Sequence, residues 1–150
     1  MIRKAKVSDV KQIQRLLNDW SEKGRLLARS LSEIYDGLRD YFVHVHEDGA
    51  IVGVCALHIC WEDLAEVRSL AVRQDCLRRG IGRGLVASCL EEARGLGVRR
   101  VFALTYEPDW FAQLGFARVD KNTLPHKIWG DCIRCPKFPE CDEVAVAIEL

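Results

Sequence analysis

The sequence has no surplus of charge of either sign, 22 Lys and Arg standing against 22 Asp and Glu. That balance argues against a general nucleic-acid binder, which carries a basic excess. No apolar run approaches the ~18 residues that a membrane span needs. The basic start Met1-Ile2-Arg3-Lys4-Ala5-Lys6-Val7 has no apolar stretch behind it, so it lacks the form of a secretory signal. Repeats, low-complexity tracts and linkers are missing too. With 49% apolar and 29% charged residues, the chain does not have a disordered composition. These absences predict a soluble, cytoplasmic protein with one domain over residues 1–150. A chain of that size buries about 68–70% of its unfolded surface and needs no disulfide or metal to fold. In the cytoplasm thiols stay reduced, so the seven cysteines read as core residues, metal ligands or reactive thiols.

Hydrophobic periodicity places the elements. Ile2 to Val7 is a strand candidate. Val10, Ile13, Leu17 and Trp20 fall at helical spacing, with Ser8 as the expected N-cap and Gly24 as the stop. Ser30 and Glu33 have capping-box spacing ahead of Leu31, Ile34 and Leu38. Asp48-Gly49 lies between two β-rich runs and predicts a tight hairpin. A third strand is expected over Glu66 to Val72. Ile81, Leu85, Leu90, Ala93 and Leu96 line one face of a helix punctuated by Gly95 and Gly97. Val101 to Thr105, a short helix over Pro108 to Leu114, then strands at Phe116 to Val119 and Val144 to Ile148 complete the order. Residues 126–143 read as a cysteine-rich irregular segment. The order predicts α/β with a mixed sheet.

The most informative segment is Arg79-Gly80-Ile81-Gly82-Arg83-Gly84, between a strand and a helix. Closely spaced glycines let backbone N–H groups approach a phosphate. The helix start adds unpaired N–H groups and the positive end of a dipole. Between Arg68 and Arg100 stand eight Arg against three acids, Asp75, Glu91 and Glu92, and Arg78, Arg79 and Arg83 flank the glycines themselves. A pyrophosphate-bearing ligand fits. The Lys-Ser/Thr ending of an ATP-binding phosphate loop is absent, and the chain is too short for a dinucleotide-binding parallel array.

Three pieces in order carry a resemblance: the strand ending Ser69-Leu70-Ala71-Val72, then Leu77-Arg78-Arg79-Gly80-Ile81-Gly82-Arg83-Gly84-Leu85, then Trp110-Phe111-Ala112-Gln113-Leu114-Gly115-Phe116. Together they resemble the GNAT acetyltransferase superfamily. Its acyl-CoA loop has Gln or Arg, two residues, Gly, any residue, then Gly or Ala. Counted to Gly80 and Gly82, the first position falls on Leu77, a departure. Counted to Gly82 and Gly84, Arg79 satisfies it. The resemblance implies a mixed, mostly antiparallel central sheet flanked by helices. It implies acetyl-CoA as co-substrate, held by Leu70, Ala71, Val72, Arg78, Arg79, Gly80, Gly82, Arg83, Gly84, Trp110 and Phe111. A homodimer is common in the superfamily.

Further segments resemble one branch, the acetyltransferase domain of N-acetylglutamate synthases: Ile2-Arg3-Lys4-Ala5 with Asp9 and Ile13, Gly24 to Ser30 ending in Arg29-Ser30, Leu104-Thr105 before Trp110-Phe111, and Val119-Asp120 with Leu124-Pro125 and Lys127. The branch implies acetyl transfer from acetyl-CoA to the α-amine of L-glutamate, a step of arginine biosynthesis. Glutamate brings two carboxylates, for which Arg29, Lys127 and Arg134 are the candidate cations. Glu66 is the candidate base, acting through a water, with an ion pair to Arg68 as its alternative role. The Leu70 amide would donate to the thioester oxygen, and pantetheine would pair with Ala71 and Val72 like an added strand. Where many members of the superfamily have an acidic Tyr, this chain has Phe111, which has no proton to give. Thr105, Tyr106 or a water could protonate the thiolate, or it could leave unprotonated. Longer relatives carry an arginine-binding domain for which 150 residues leave no room, so feedback by that route is not expected.

Two readings compete with glutamate acetylation. One keeps the enzyme and changes the acceptor to another amino acid, a polyamine or a protein N-terminus. The other is a non-catalytic acyl-CoA or metal-sensing module. Cys132, Cys135 and Cys141 supply three of the four ligands a closed zinc site needs, with His126 or Asp142 as candidates for the fourth. Reduced loop thiols and a redox-sensitive disulfide are the alternatives there. Cys55, Cys60, Cys76 and Cys89 read as core or half-buried, and His44 and His46 as polar-face histidines rather than a metal pair.

Overall fold

The computed structural model describes residues 1–26, 28–124 and 143–150. The lysine, arginine and cysteines of the 126–143 segment therefore lie outside the described residues: Lys127, Arg134, Cys132, Cys135 and Cys141, together with His126 and Asp142. The elements are β1 (Ile2–Lys4), α1 (Val10–Ser21), α2 (Leu31–Asp36), β2 (Tyr41–Val45), β3 (Ile51–Trp61), β4 (Leu64–Val72), α3 (Ile81–Leu96), β5 (Arg100–Thr105), α4 (Pro108–Ala112), β6 (Ala117–Arg118) and β7 (Val144–Glu149). Strand order in the sheet is β1-β2-β3-β4-β5-β7-β6. The β4–β5 pairing is parallel, and β1–β2, β2–β3, β5–β7 and β6–β7 are antiparallel. The architecture is the mixed, mostly antiparallel sheet that the resemblance implied.

By contact the chain forms two compact units. The first comprises Met1–Leu57 and Val67–Glu92, and the second His58–Glu66 and Ala93–Leu150. In the first unit Val10, Ile13, Leu16 and Leu17 from α1 join Ile34, Tyr41, Val43 and Val54 in a buried core. Helix α1 begins later than Ser8, which is exposed and caps nothing. Asp9 organises this end instead. Its carboxylate accepts from the Lys6 amide at 2.7 Å and from both Arg3 guanidinium nitrogens at 2.7 and 3.2 Å, which closes a 3-10 turn before the helix proper. At α2 the expected capping box is present, with Glu33 N donating to Ser30 Oγ at 3.1 Å and Ser30 N to Glu33 Oε1 at 3.2 Å.

The β2–β3 hairpin closes through a three-residue loop. His46 N donates to the Ala50 carbonyl and Gly49 N to the His46 carbonyl, with Gly49 at φ +88°. Gly53 in β3 lets α3 lie close. A Cβ there would stand 2.8 Å from Ile81 Cγ2 and 3.0 Å from Leu85 Cδ1.

In the second unit Leu64, Phe102, Leu124, Ala145 and Ala147 form the core. Helix α3 ends in a glycine-capped motif, Gly97 N donating to the Arg94 carbonyl and Val98 N to that of Ala93. Gly95 lies inside the helix. Leu96 is 62% exposed, so the apolar face stops one turn short of its expected length. Strand β6 shrinks to two exposed residues, because Phe116 turns into the interior against Phe111.

Candidate active site

In the first unit, β4 carries the backbone groups that the sequence singled out. Ser69 departs from strand geometry at φ +55°, the left-handed region that a non-glycine residue enters at a cost on the order of 1–3 kcal/mol. Leu70 follows, half-buried, then buried Ala71 and Val72. The Val72 carbonyl accepts from the Trp20 indole at 2.9 Å. Beyond β4, Arg73 N donates to the Val52 carbonyl, and its guanidinium pairs with Asp75 at 2.6 Å.

The glycine loop occupies the turn into α3. Arg78 and Gly80 both have positive φ, +64° and +80°. A Cβ on Gly80 would meet nothing within 4 Å, so glycine serves the backbone conformation there and leaves the approach open. Gly84 N donates to the Gly80 carbonyl at 3.0 Å, the first bond of the helix. The amides of Ile81, Gly82 and Arg83 precede that bond and have no i−4 carbonyl within α3. Gly80 ends the loop and Gly82 opens the helix, whereas Gly84 lies within it, where a Cβ would stand 3.0 Å from Ile2 Cδ1. Arg78, Arg79 and Arg83 are exposed and have no ion-pair partner among the described residues.

Arg29 sits just before the α2 cap. Its side chain is only 11% exposed. One guanidinium nitrogen reaches Glu33 Oε2 at 3.4 Å, and the buried Nε has no partner among the described residues. The Glu33 carboxyl lies below its usual range, chiefly because it accepts from the Ser30 amide. Tyr41 nearby is 4% exposed. Burial pushes the phenol up, while the Arg29 and Arg68 charges oppose that shift. Tyr41 was not singled out from the sequence, and Ser69 only as part of Ser69-Leu70-Ala71-Val72. An aromatic opening a strand reads as core, and no local pattern announces a left-handed serine.

The second unit holds the other candidates. Glu66 is 3% exposed and faces Phe102 in the last pair of the parallel β4–β5 register. Both strands run on past that pair, β4 to Val72 and β5 to Thr105. The Thr105 hydroxyl accepts from the Glu107 amide at 2.8 Å. Phe111 is buried and stacks edge-on with Trp110 and Phe116, ring centroids 4.9 and 5.1 Å away. Its ring packs the interior at the place where many superfamily members have a tyrosine.

The remaining sequence candidates take ordinary roles. Cys55, Cys76 and Cys89 are buried and Cys60 half-buried, all as free thiols. His46 contacts Asp48 at 3.4 Å, and His44 lies 3.5 Å from the N-terminal amine. Among the described residues no three His, Cys, Asp or Glu side chains gather as a metal site. No described helix is long and apolar enough to cross a membrane.

Known proteins resemble this chain in sequence and fold. Residues 10–118 match the model of the acetyltransferase (GNAT) family. An uncharacterized N-acetyltransferase of Chlorobaculum tepidum is 37% identical over 149 residues, covering 99% of this chain and 96% of its own length. A Mycobacterium tuberculosis amino-acid acetyltransferase is 35% identical over 136 residues, covering 89% of this chain and 78% of its own. Among solved structures, the M. tuberculosis protein Rv2747, in complex with CoA and a further ligand, aligns with a TM-score of 0.86 and 30% identity, over 100% of this chain and 99% of its own. N-acetylglutamate synthase from Neisseria gonorrhoeae, complexed with coenzyme A and N-acetyl-glutamate, also gives a TM-score of 0.86, at 27% identity. That alignment covers 100% of this chain and 35% of the synthase. The chain belongs to the GNAT acetyltransferase family.

Proposed function

We propose that this protein transfers the acetyl group of acetyl-CoA to the α-amine of L-glutamate. The observation that carries the choice of acceptor is Arg29, a cation whose side chain is 11% exposed and whose buried Nε has no partner among the described residues, with the charges of Arg29 and Arg68 both acting on Tyr41. A largely enclosed cation with incomplete pairing gains from an anion that completes it, and a carboxylate matches a guanidinium in both charge and shape. An acceptor with a second carboxylate makes use of a second arginine. The names of the M. tuberculosis and N. gonorrhoeae relatives point the same way.

Acetyl-CoA supplies the thioester. The exposed Arg78, Arg79 and Arg83, the open approach at Gly80 and the unbonded amides at the start of α3 suit its pyrophosphate. The acceptor ammonium must lose a proton before it attacks the thioester carbon, and Glu66 takes it through a water. The Leu70 amide donates to the carbonyl oxygen as it gains charge. Nitrogen bonds to the acyl carbon, the C–S bond breaks, and the sulfur leaves as thiolate. The Thr105 hydroxyl, accepting from the Glu107 amide, keeps its own proton to donate to that sulfur. Thiolate is also a fair leaving group unaided, with a thiol pKa of about 8.5.

An acceptor screen tests the assignment. Purified protein with acetyl-CoA is offered amino acids, polyamines and peptides with free N-termini, and products are read by mass spectrometry. Glutamate is expected to turn over fastest. Turnover no better than with other amines removes the glutamate assignment and leaves the acetyltransferase.

A further inference from the structure

Glu33, the third residue of α2, gives its two carboxylate oxygens to different partners. Oε1 accepts from the Ser30 amide at 3.2 Å, and the Glu33 amide donates to Ser30 Oγ at 3.1 Å. These reciprocal bonds of the capping box fix the carboxylate, although the Glu33 side chain is 54% exposed. Oε2 is thereby left to meet Nη1 of Arg29 at 3.4 Å. The Arg29 main chain is held as well, its carbonyl accepting from Gln14 Nε2 on α1, also at 3.4 Å. All of these residues belong to the first compact unit.

A guanidinium can hold a carboxylate along either of two edges, Nη1 with Nη2 or Nε with Nη2. Glu33 engages Nη1, on the first edge. Nε lies on the second, buried and with no partner among the described residues. A flexible side chain that must be immobilised weakens binding, and one tethered beforehand has less freedom to lose. We propose that Glu33 is a positioning residue for the acceptor, tethering Arg29 by Nη1 and so keeping its Nε edge ready for the acceptor's carboxylate. The proposal rests on the reading of Arg29 as the cation that binds that carboxylate. The Glu33 charge itself repels an incoming anion. On its exposed side water and salt screen that repulsion, and the tether outweighs it. The capping box thus does more than start a helix: it sets a carboxylate, and the carboxylate sets an arginine.

Glu33→Gln tests this. Glutamine still accepts from the Ser30 amide as a capping-box residue, but its remaining amide group is a donor and cannot hold Arg29. Saturation curves for glutamate and acetyl-CoA are measured together with thermal unfolding. The glutamate KM is expected to rise about three- to tenfold, with kcat and the acetyl-CoA KM within roughly twofold. The melting temperature is expected to stay within about 3 °C of wild type, since the cap remains. The same substitution on an Arg29→Ala background is expected to change kcat/KM for glutamate by less than about twofold, because nothing is left to tether. A glutamate KM that is unchanged or lower in Glu33→Gln, while Arg29→Ala raises it, overturns the proposal and leaves the Arg29 reading intact. An equal loss with and without Arg29 overturns it too, since Glu33 then acts independently of the arginine. A rise in both KM values with a clearly lower melting temperature assigns Glu33 to the folding of α2 instead. A wild-type glutamate KM in Arg29→Ala overturns the Arg29 reading, and the proposal with it.

Discussion

The indole Nε1 of Trp20, on the last turn of α1, donates to the main-chain carbonyl of Val72 at the end of β4, 2.9 Å away. This bond ties the first helix to the strand whose backbone is expected to meet pantetheine. The Lys23 ammonium lies 5.0 Å from the centroid of the same indole ring, adding a cation–π contact. An extended ligand that adds to β4 must work with the donors and acceptors that remain.

Trp20→Phe is therefore expected to cost about 1–2 kcal/mol of stability, the loss of one partly buried hydrogen bond and some packing. Its effect on the acetyl-CoA KM should stay within roughly twofold, since the strand-like pairing does not use this carbonyl. Thermal unfolding and acetyl-CoA saturation curves check both. A KM lowered by tenfold would mean that pantetheine competes with the indole for the Val72 carbonyl.

The Arg3–Asp9 pair should give stability a clear pH dependence. The Asp9 carboxyl lies below its usual range, chiefly because it accepts from Arg3. A depressed folded-state value means that the unfolded chain binds the proton more readily. The stabilisation is thus full above the ordinary aspartate pKa of about 3.9 and is lost as pH falls below it. Asp9→Asn is expected to cost about 2–3 kcal/mol at neutral pH, because a partly buried guanidinium loses its bidentate partner. The difference from wild type should shrink as denaturation is followed from pH 5 down to about pH 3. A difference that stays constant over that range would place the effect in packing rather than in charge.

Local rules made most of the fold legible. Ser30 and Glu33 three apart, Asp48-Gly49 between β-rich runs, and Gly97 after a helical stripe each became the element they signal. The misreadings came from interactions across the chain. Ser8 looks like a cap, but Asp9 has both a backbone amide and a distant Arg3 to satisfy, and the helix starts where Asp9 sets it. Gly84 stands inside α3 with Ile2 close against it, a packing role that its place in a run of glycines does not show. The candidate site divides in the same way. Arg29 and the arginines of the loop stand out by residue type and motif. The left-handed backbone at Ser69 has no sign in the local sequence.

The loop arginines predict a salt-sensitive cofactor affinity. Arg78, Arg79 and Arg83 are exposed, so their attraction for a pyrophosphate is screened over about 8 Å at physiological ionic strength. The acetyl-CoA KM should rise steadily with added salt, and each Arg→Gln substitution should flatten that rise while raising the KM a few-fold at low salt. The KM for the amine acceptor should not follow. Saturation curves at several salt concentrations read this directly. A salt-independent acetyl-CoA KM would assign the anion to the helix amides alone.

Arg29→Ala should separate the two substrates. Its guanidinium is 11% exposed and meets Glu33 only at 3.4 Å, and Glu33 is 54% exposed. Losing that ion pair is therefore expected to cost less than about 1 kcal/mol. The Glu33 carboxyl also keeps its bond from the Ser30 amide. What the variant removes is the positive charge held ready for a carboxylate. A charge-assisted hydrogen bond is worth roughly 1.5–3 kcal/mol, so the glutamate KM should rise at least about tenfold. The acetyl-CoA KM should change by less than about twofold, and the melting temperature by only a few degrees. Arg29→Lys should recover only part of the loss, because an ammonium cannot hold a carboxylate bidentately. An equal rise in KM for both substrates would take Arg29 out of acceptor recognition.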